Sequence, residues 1–231
     1  MRWTTSLLIA PCLVASLAAS AADPAKPTEA TAPAKPAAAA AANPREALLK
    51  PELAKDKAPE TFKAKFETSK GTIVIEVTRA WSPIGADRFY NLVKSGYFDG
   101  VRFFRVVPNF VVQFGLHGEP SVSQAWSKAR IQDDPVKESN TKGMITFAKS
   151  AQPNSRTTQV FINLKDNSAL DKQGFSPFGK VVEGMDVVEK LNGEYGESLT
   201  QLQGQIVSEG NVFLAKRAPN LDHIKKATLA K

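Results

Sequence analysis

The sequence has few of the side chains that enzymes use to bind metals or to form covalent intermediates. Its 231 residues include one cysteine, Cys12, and two histidines, His117 and His223. The histidines are far apart in the chain, so neither a two-histidine metal site nor a Ser-His nucleophile is expected. The motifs HExxH and GxSxG and a glycine-rich phosphate loop are also absent from the sequence. We therefore predict a protein that works without a metal or a cofactor.

The chain also lacks a concentration of charge of one sign. It has 30 Lys and Arg residues against 23 Asp and Glu residues, a net charge of +7. Because the basic residues are scattered, a solvated basic surface is favoured over nucleic-acid binding, and no nucleic-acid partner is predicted. The hydrophobic content of 42% is that of a globular protein.

The apolar segment near the N-terminus is too short to cross a membrane. Residues 6–18 are mostly apolar, follow Arg2 and precede small residues at 19–22. A membrane-spanning helix needs about 20 apolar residues, whereas this pattern is typical of a cleaved signal peptide. We therefore expect residues 1–22 to be a signal peptide cut between Ala19 and Asp23, with export to the periplasm and no stable membrane insertion.

A lipid-anchored form is the less favoured alternative. The residues before Cys12 faintly resemble a lipoprotein cleavage box, but Pro11 stands where that box has a small, flexible residue. Cleavage near residue 22 would remove Cys12, so the mature protein would contain no disulfide.

Composition divides the remaining chain into three parts. Residues 23–60 are predicted to be an Ala/Pro-rich disordered linker, because most of this segment has no large apolar residue to bury. A short helix is possible within 44–59, interrupted by Pro51. Residues 61–217 are predicted to be the folded domain, and residues 218–231 a basic C-terminal tail.

The domain is predicted to consist of short strands and two helices. A glycine-containing turn joins two alternating runs into a β-hairpin, and Ser82-Pro83 is typical of a helix start. The stretch 115–142 is predicted to be a long, irregular loop of functional importance. Strands are predicted at 62–68, 72–77, 101–107, 110–114, 144–148, 159–164, 178–182, 205–208 and 211–215, and helices from Pro83 to near Gly96 and at 185–191. This pattern predicts a mainly β fold, a closed antiparallel β-barrel capped by two helices.

The most hydrophobic run of the domain contains one arginine. In residues 103–115, FFRVVPNFVVQFG, only Arg105, Asn109 and Gln113 are polar. A guanidinium stays charged in a protein, so its burial requires a partner or a purpose. Arg105 therefore either faces water from an edge strand or presents a positive charge to a substrate from the floor of an apolar groove.

This run belongs to a wider pattern. Together with GMITFA at 143–148, TTQVFI at 157–162, Leu170-Asp171 and FGKVVE at 178–183, it resembles the cyclophilin-type peptidyl-prolyl cis-trans isomerases. The resemblance covers roughly residues 61–215 and implies an eight-stranded barrel closed by two helices.

The resemblance implies catalytic roles for Arg105 and Gln113. For Gln113 the alternative is a satisfied polar side chain at a strand end, and for an aromatic residue such as Phe110 it is ordinary core packing. The resemblance also implies substrate-binding roles, around the proline ring and the residue before it, for Phe110, Val111, Ala148, Lys149, Gln159, Phe161, Leu170 and Phe175.

The implied function is cis-trans isomerisation of Xaa-Pro bonds in proline-containing polypeptides, by a monomer that acts on exported client proteins as they fold. The alternative is a proline-peptide-binding chaperone module with little turnover. The pair of Arg105 and Gln113 favours the enzyme, because binding alone needs only the pocket.

The sequence departs from the family pattern at three positions. Ala169 lies where many members have a tryptophan that contacts the drug cyclosporin, so weak cyclosporin binding is expected. Phe114 replaces a glycine, and Phe175 lies where many members have histidine or tyrosine. The segment 149–158 is also one residue longer than the commonest form of the family. These departures affect ligand preference more than the reaction.

Overall fold

The computed structural model describes residues 44–230. The predicted signal peptide and residues 23–43 of the predicted linker lie outside the described residues. The helices of the described chain are α1 (Pro44–Leu49), α2 (Pro83–Lys94), α3 (Pro120–Ser127), α4 (Met185–Glu189) and α5 (Gln203–Arg217). The strands are β1 (Thr61–Thr68), β2 (Thr72–Thr78), β3 (Arg105–Val107), β4 (Val111–Phe114), β5 (Met144–Phe147), β6 (Val160–Asn163), β7 (Pro177–Glu183) and β8 (Ile224–Ala230).

The eight strands form one antiparallel sheet in the order β3-β4-β6-β5-β7-β2-β1-β8. The mainly β prediction is therefore confirmed, but the closed barrel is confirmed only in part. The two edge strands, β3 and β8, are not paired with each other, and a single bridge between Arg102 and His223 joins the segments that precede them. The described sheet is thus a curled, incompletely closed barrel.

The β1–β2 hairpin forms where the alternating sequence predicts it. Phe66 and Ile75 are buried on the core face, whereas Lys63 and Glu76 form a cross-strand ion pair on the outer face. The Thr68 hydroxyl closes the turn by donating to the Gly71 carbonyl oxygen at 2.7 Å. Period-two alternation and a polar turn therefore fix this register.

Helix α2 begins at Pro83, as predicted, but Ser82 does not cap it with its own side chain. The Ser82 hydroxyl donates to Asp134 at 2.6 Å, and the Asp134 carboxylate accepts the amides of Ile84 and Gly85. The buried Arg156 guanidinium contacts the same carboxylate at 3.0 Å. Asp134, which lies 50 positions after Ile84, thus caps the helix and joins it to the loop that precedes β5.

The main hydrophobic core lies between α2 and the sheet. Phe89 on α2 is fully buried, and its ring centroid lies 4.9 Å from Phe178 and 6.0 Å from Phe66. Phe114 is also fully buried against Phe98. Rings in mutual contact at these distances give the sheet a rigid interior.

The strands predicted at 205–208 and 211–215 are wrong, because these residues form α5. Ile206, Gly210 and Leu214 are its buried positions, and their spacing of four residues is that of a helix face. Gly210 has φ +61°, and a Cβ atom there would lie 2.0 Å from the Gly118 carbonyl oxygen. The helix therefore kinks where it packs closely on the segment before α3.

Two other predictions differ from the structure. The loop predicted at 115–142 contains α3, so the described fold has more than two helices. The predicted basic tail, 218–231, contains β8, which pairs with β1 and buries Ile224 and Ala227 in the core; a bulge in the pairing accounts for their spacing of three residues. The sheet therefore extends beyond the predicted domain end at residue 217.

The described part of the predicted linker is packed on the domain. Helix α1 occupies the predicted short helix, and the Trp126 indole donates to the Leu48 carbonyl oxygen at 3.0 Å. The Ala58 amide donates to Asp87 at 2.9 Å. Among residues 44–230, no helix is long and apolar enough to cross a membrane.

Candidate active site

A groove of about 240 Å³ opens on one face of the sheet. Strands β3, β4 and β6, the turn at Ser168–Gln173 and the start of α5 contribute to it. Its lining residues are Arg105, Phe110, Val111, Gln113, Ala148, Lys149, Phe161, Leu170, Phe175, Thr200 and Gln203. The structure thus brings together every predicted site residue except Gln159, which reaches the groove through a hydrogen bond described below.

Pairing between β3 and β4 sets Arg105 directly opposite Gln113. The Arg105 Nη1 donates to the Gln113 Oε1 at 2.9 Å, and the guanidinium carbon lies 5.4 Å from the Phe110 ring centroid. The Arg105 side chain is 19% exposed. Its neighbours therefore fix the orientation of a charge that still reaches the open groove.

A chain of amide hydrogen bonds continues from Gln113 across the sheet. The Gln113 Nε2 donates to the Gln159 Oε1 at 2.9 Å, and the Gln159 Nε2 donates to the Gln203 Oε1 at 3.0 Å. Each glutamine accepts at its oxygen and donates from its nitrogen. The chain has one consistent direction, which begins at the Arg105 guanidinium and ends on helix α5.

Glu197 contacts the other edge of the Arg105 guanidinium. Arg105 Nε donates to the Glu197 Oε2 at 2.8 Å, and Arg105 Nη2 donates to the Glu197 Oε1 at 2.6 Å. The Thr200 hydroxyl donates to the same Oε2 at 2.9 Å. The bond from Arg105 lowers the pKa of the Glu197 carboxyl below its usual range, so the carboxylate is charged at neutral pH.

The apolar floor of the groove is shaped by two rings at an angle. The Phe161 and Phe175 centroids lie 5.7 Å apart in an edge-on arrangement, and Leu170 and Val111 complete the wall. The Lys149 ammonium lies 5.6 Å from the Phe175 ring centroid. These contacts leave a small apolar depression beside the Arg105 guanidinium.

A buried polar network supports this floor from below. Asn140, which is fully buried, donates to Asp171 at 2.7 Å and to the Phe175 carbonyl oxygen at 2.9 Å. Burial alone would raise the pKa of Asp171, but hydrogen bonds from Ser139 and Asn140 more than offset it, and the pKa is lowered. The charged Asp171 therefore anchors the turn that carries Leu170.

Comparison with known proteins decides the family. The family described as "Cyclophilin type peptidyl-prolyl cis-trans isomerase/CLD" matches residues 62–210, more than half of the chain. The chain belongs to the cyclophilin-type peptidyl-prolyl cis-trans isomerases. The predicted resemblance and the predicted enzyme class are thereby confirmed.

Bacterial cyclophilins are among the similar proteins. A peptidyl-prolyl cis-trans isomerase of Acinetobacter baylyi is 37% identical over 131 residues, which are 54% of this chain and 69% of that protein. Peptidyl-prolyl cis-trans isomerase B of Escherichia coli is 33% identical over 136 residues, 55% of this chain and 82% of that protein.

Solved cyclophilins share the fold. A Cryptosporidium parvum cyclophilin-type isomerase has a TM-score of 0.54 at 18% identity, over 74% of this chain and 98% of that one. A structure titled as the same C. parvum isomerase in the presence of the dipeptide Ala-Pro has a TM-score of 0.53 at 18% identity, over 73% of this chain and 99% of that one.

Sequence reasoning missed the site residues that come from the chain after α4, namely Thr200 and Gln203, which line the groove, and Glu197, which contacts Arg105. They lie 92 or more positions from Arg105 in the sequence, within a polar stretch that shows no strand or helix period of its own. The available signal was the spacing of Ile206, Gly210 and Leu214. That spacing is typical of a helix face, but the valine, phenylalanine and glycines around it favour a strand with turns, so the local signals conflict.

Proposed function

We propose that this cyclophilin isomerises Xaa-Pro bonds in the groove, with Arg105 as the catalytic residue. The single observation that carries the proposal is the position of the Arg105 guanidinium. It is held by Gln113 at 2.9 Å, beside an apolar depression formed by Phe161, Phe175 and Leu170. A proline ring fits an apolar site of this kind, and the charge next to it can act on the prolyl nitrogen.

Arginine can lower the barrier to rotation of the prolyl amide. That barrier is about 20 kcal/mol, because the nitrogen lone pair is delocalised into the carbonyl group. A guanidinium N–H that donates to the prolyl nitrogen stabilises the lone pair on that nitrogen and so weakens its delocalisation. This hydrogen bond is strongest in the twisted transition state, so it accelerates the rotation rather than only tightening substrate binding. Each factor of ten in rate needs about 1.4 kcal/mol of such stabilisation.

The other groove residues are assigned to substrate binding. Phe110, Val111, Phe161, Leu170 and Phe175 would surround the proline ring. Gln113 is proposed to act with Arg105, from which it already accepts a hydrogen bond. Gln159 and the backbone of Ala148 and Lys149 would pair with the residue before the proline, next to a β5–β6 edge where the Ala148 amide donates to the Gln159 carbonyl at 2.9 Å.

One observation favours the alternative, a proline-peptide-binding module with little turnover. The guanidinium of Arg105 already forms a bidentate ion pair with Glu197. A paired guanidinium offers a weaker field to the substrate than a free one. Binding without turnover is therefore the outcome that an assay must be able to detect.

The test is an isomerisation assay on a short Xaa-Pro peptide, with peptide binding measured separately. We expect turnover by the natural protein, and we expect Arg105→Ala to lower kcat/KM at least tenfold while leaving the melting temperature unchanged. Arg105→Lys should recover little, because an ammonium cannot reproduce the planar fork. Peptide binding without turnover in the natural protein would establish the binding module instead.

We further propose that the protein acts as a monomer on exported proteins as they fold, in the periplasm and without a cofactor. The support is the pattern of residues 1–22, which is typical of a cleaved signal peptide. N-terminal sequencing of the mature protein should find a start between residues 20 and 23. An intact Met1 would contradict export, and a lipid on Cys12 would establish the anchored form.

A further inference from the structure

Arg105 lies in a ring of contacts that joins the sheet to the start of α5. In one direction the ring passes through Gln113, Gln159 and Gln203, and the Gln203 Nε2 donates to the Thr200 carbonyl oxygen at 3.2 Å. In the other direction it passes through Glu197, which accepts the Thr200 hydroxyl. Both paths begin on the same guanidinium and meet at Thr200.

We propose that Glu197 is a positioning residue, which holds the Arg105 guanidinium in the orientation needed for catalysis. This inference rests on the proposed function, because it assigns Arg105 to the transition state. Unlike Thr200 and Gln203, Glu197 does not line the groove. It acts on the substrate only through Arg105.

The number of N–H donors shows that the pairing leaves Arg105 competent. A guanidinium has five N–H groups. The bonds to Glu197 use two of them and the bond to Gln113 uses a third. Two N–H groups remain for a substrate, on a group whose plane is fixed along both edges and against the Phe110 ring.

The geometry differs from that of an ordinary surface ion pair. Exposed pairs contribute little because two mobile side chains must be ordered together. Here the pair is bidentate, the Arg105 side chain is only 19% exposed although that of Glu197 is 55% exposed, and Thr200 orients the Glu197 carboxylate independently. Donors that are oriented before the reaction need no reorganisation at the transition state.

The carboxylate has two opposing effects on the reaction. It weakens the field of the guanidinium at a distance, and it fixes the directions of the N–H bonds that meet the substrate. Hydrogen bonds act at about 3 Å and lose strength steeply when misaligned. A substrate seated in the groove meets the remaining N–H groups at this short range, so orientation dominates.

The experiment compares two glutamate substitutions on the same turn. Glu194→Gln is the matched control, because Glu194 accepts from Asn192 and Asn220 and does not contact Arg105. We expect Glu197→Gln to lower kcat/KM about fivefold, mainly through kcat, while Glu194→Gln stays within twofold of the natural protein. Both variants should keep the natural melting temperature, since Glu197 is half exposed.

A double substitution separates positioning from a structural role. In an Arg105→Ala background, adding Glu197→Gln should change the residual kcat/KM by less than twofold, because Glu197 acts only through the missing guanidinium. A further loss in that background would show that Glu197 supports the fold instead. Unchanged or raised activity in Glu197→Gln alone would overturn the proposal, and a raised value would make Glu197 an inhibitory partner of Arg105.

A measurement without catalysis tests the contact itself. The Arg105 Nε–H signal, assigned in the NMR spectrum by its loss in Arg105→Ala, should exchange slowly in the natural protein and in Glu194→Gln. It should exchange fast in Glu197→Gln. If the natural protein isomerises no peptide, the proposed function fails, and this signal alone decides whether Glu197 holds Arg105. A fast-exchanging signal in the natural protein would overturn the positioning role.

Discussion

Residues 44–230 contain two hydrophobic clusters that differ in size and in what they support. The larger one fills the space between α2 and the sheet. The smaller one lies under the helical segment after α4 and consists of Phe104, Leu116, Leu199, Ile206, Leu214, Ala218 and Leu221. Residues that are only partly buried, among them Tyr195 and Phe213, surround the smaller cluster.

The two clusters meet at the strand that carries Arg105. Phe103 and Val106 belong to the larger cluster, whereas Phe104 belongs to the smaller one. The larger cluster thus positions the backbone of β3 and its partner β4. The smaller cluster positions the segment that carries Glu197. The orientation of the guanidinium therefore depends on both clusters, although only the larger cluster packs directly against most of the sheet.

The largest expected effect is on the protein's free energy of unfolding, through a substitution in the larger cluster. Phe114 is fully buried and its ring contacts Phe66, Phe98 and Phe103. Phe114→Ala removes these contacts and leaves a cavity, so we expect a loss of about 3–5 kcal/mol in the free energy of unfolding. Urea denaturation measures it.

Two further substitutions make that result interpretable. Phe114→Leu keeps most of the volume and should cost less, which preserves a measurement if the alanine variant does not fold. Val182→Ala, at a side chain that is 44% exposed on β7, should change stability by less than about 0.5 kcal/mol. A loss at Phe114 no larger than at Val182 would show that the ring cluster is not the rigid core inferred here.

A smaller effect on stability, with an effect on activity, is expected in the smaller cluster. Leu214 is 2% exposed on α5. Leu214→Ala should cost about 2–3 kcal/mol, near the lower limit for such changes, because partly exposed neighbours allow the site to collapse or hydrate. Leu199, two residues after Glu197, and Ile206, near the start of α5, belong to the same cluster. We therefore also expect kcat/KM to fall about threefold, measured below the unfolding transition.

The control for Leu214 lies two residues away on the same helix. Val212 is 66% exposed, so Val212→Ala should alter neither stability nor activity. Normal turnover in a clearly destabilised Leu214→Ala protein would separate the smaller cluster from the site. The comparison of the two clusters would then concern stability alone.

The sequence was sufficient for the part of the site built on the larger cluster. The strands at β1, β2, β5, β6 and β7 lie within one residue of their predicted bounds, because alternation and turn residues are local signals. Arg105 was found because a charge in an apolar run needs an explanation, whereas Gln113 was assigned only through the family resemblance. Their roles as catalytic residues stay a prediction until the substitutions are measured.

The part built on the smaller cluster could not be predicted in the same way. Residues 205–208 and 211–215 contain valine and phenylalanine, and a glycine precedes each range, at 204 and 210. These residue types favour a strand with turns over a helix. Tertiary packing decides the matter, because Gly210 allows α5 to approach the Gly118 carbonyl oxygen closely. The contact of Glu197 with Arg105 is a consequence of that packing and has no local signal.

The smallest expected effect concerns ligand preference at the rim of the groove. Ala169 is exposed on the turn that carries Leu170. Many cyclophilins have a tryptophan at this position, which closes one side of the groove and donates an N–H to cyclosporin. Alanine lacks the ring, which would bury on the order of 150–250 Å², and lacks the donor, typically worth about 0.5–1.5 kcal/mol. We therefore expect weak cyclosporin inhibition of an otherwise active isomerase.

Ala169→Trp should tighten cyclosporin binding at least tenfold, or at least about 1.4 kcal/mol. Turnover of a short peptide should change much less, because it depends on Arg105 and the apolar floor. Ala215→Trp, at an exposed alanine on α5 outside the groove, is the control and should change neither value. Titration of the three proteins with cyclosporin, beside the isomerase assay, provides the measurement. Tight inhibition of the natural protein would contradict the first expectation. Unimproved affinity in Ala169→Trp would instead identify Phe175, or the segment 149–158, as the obstacle to the drug.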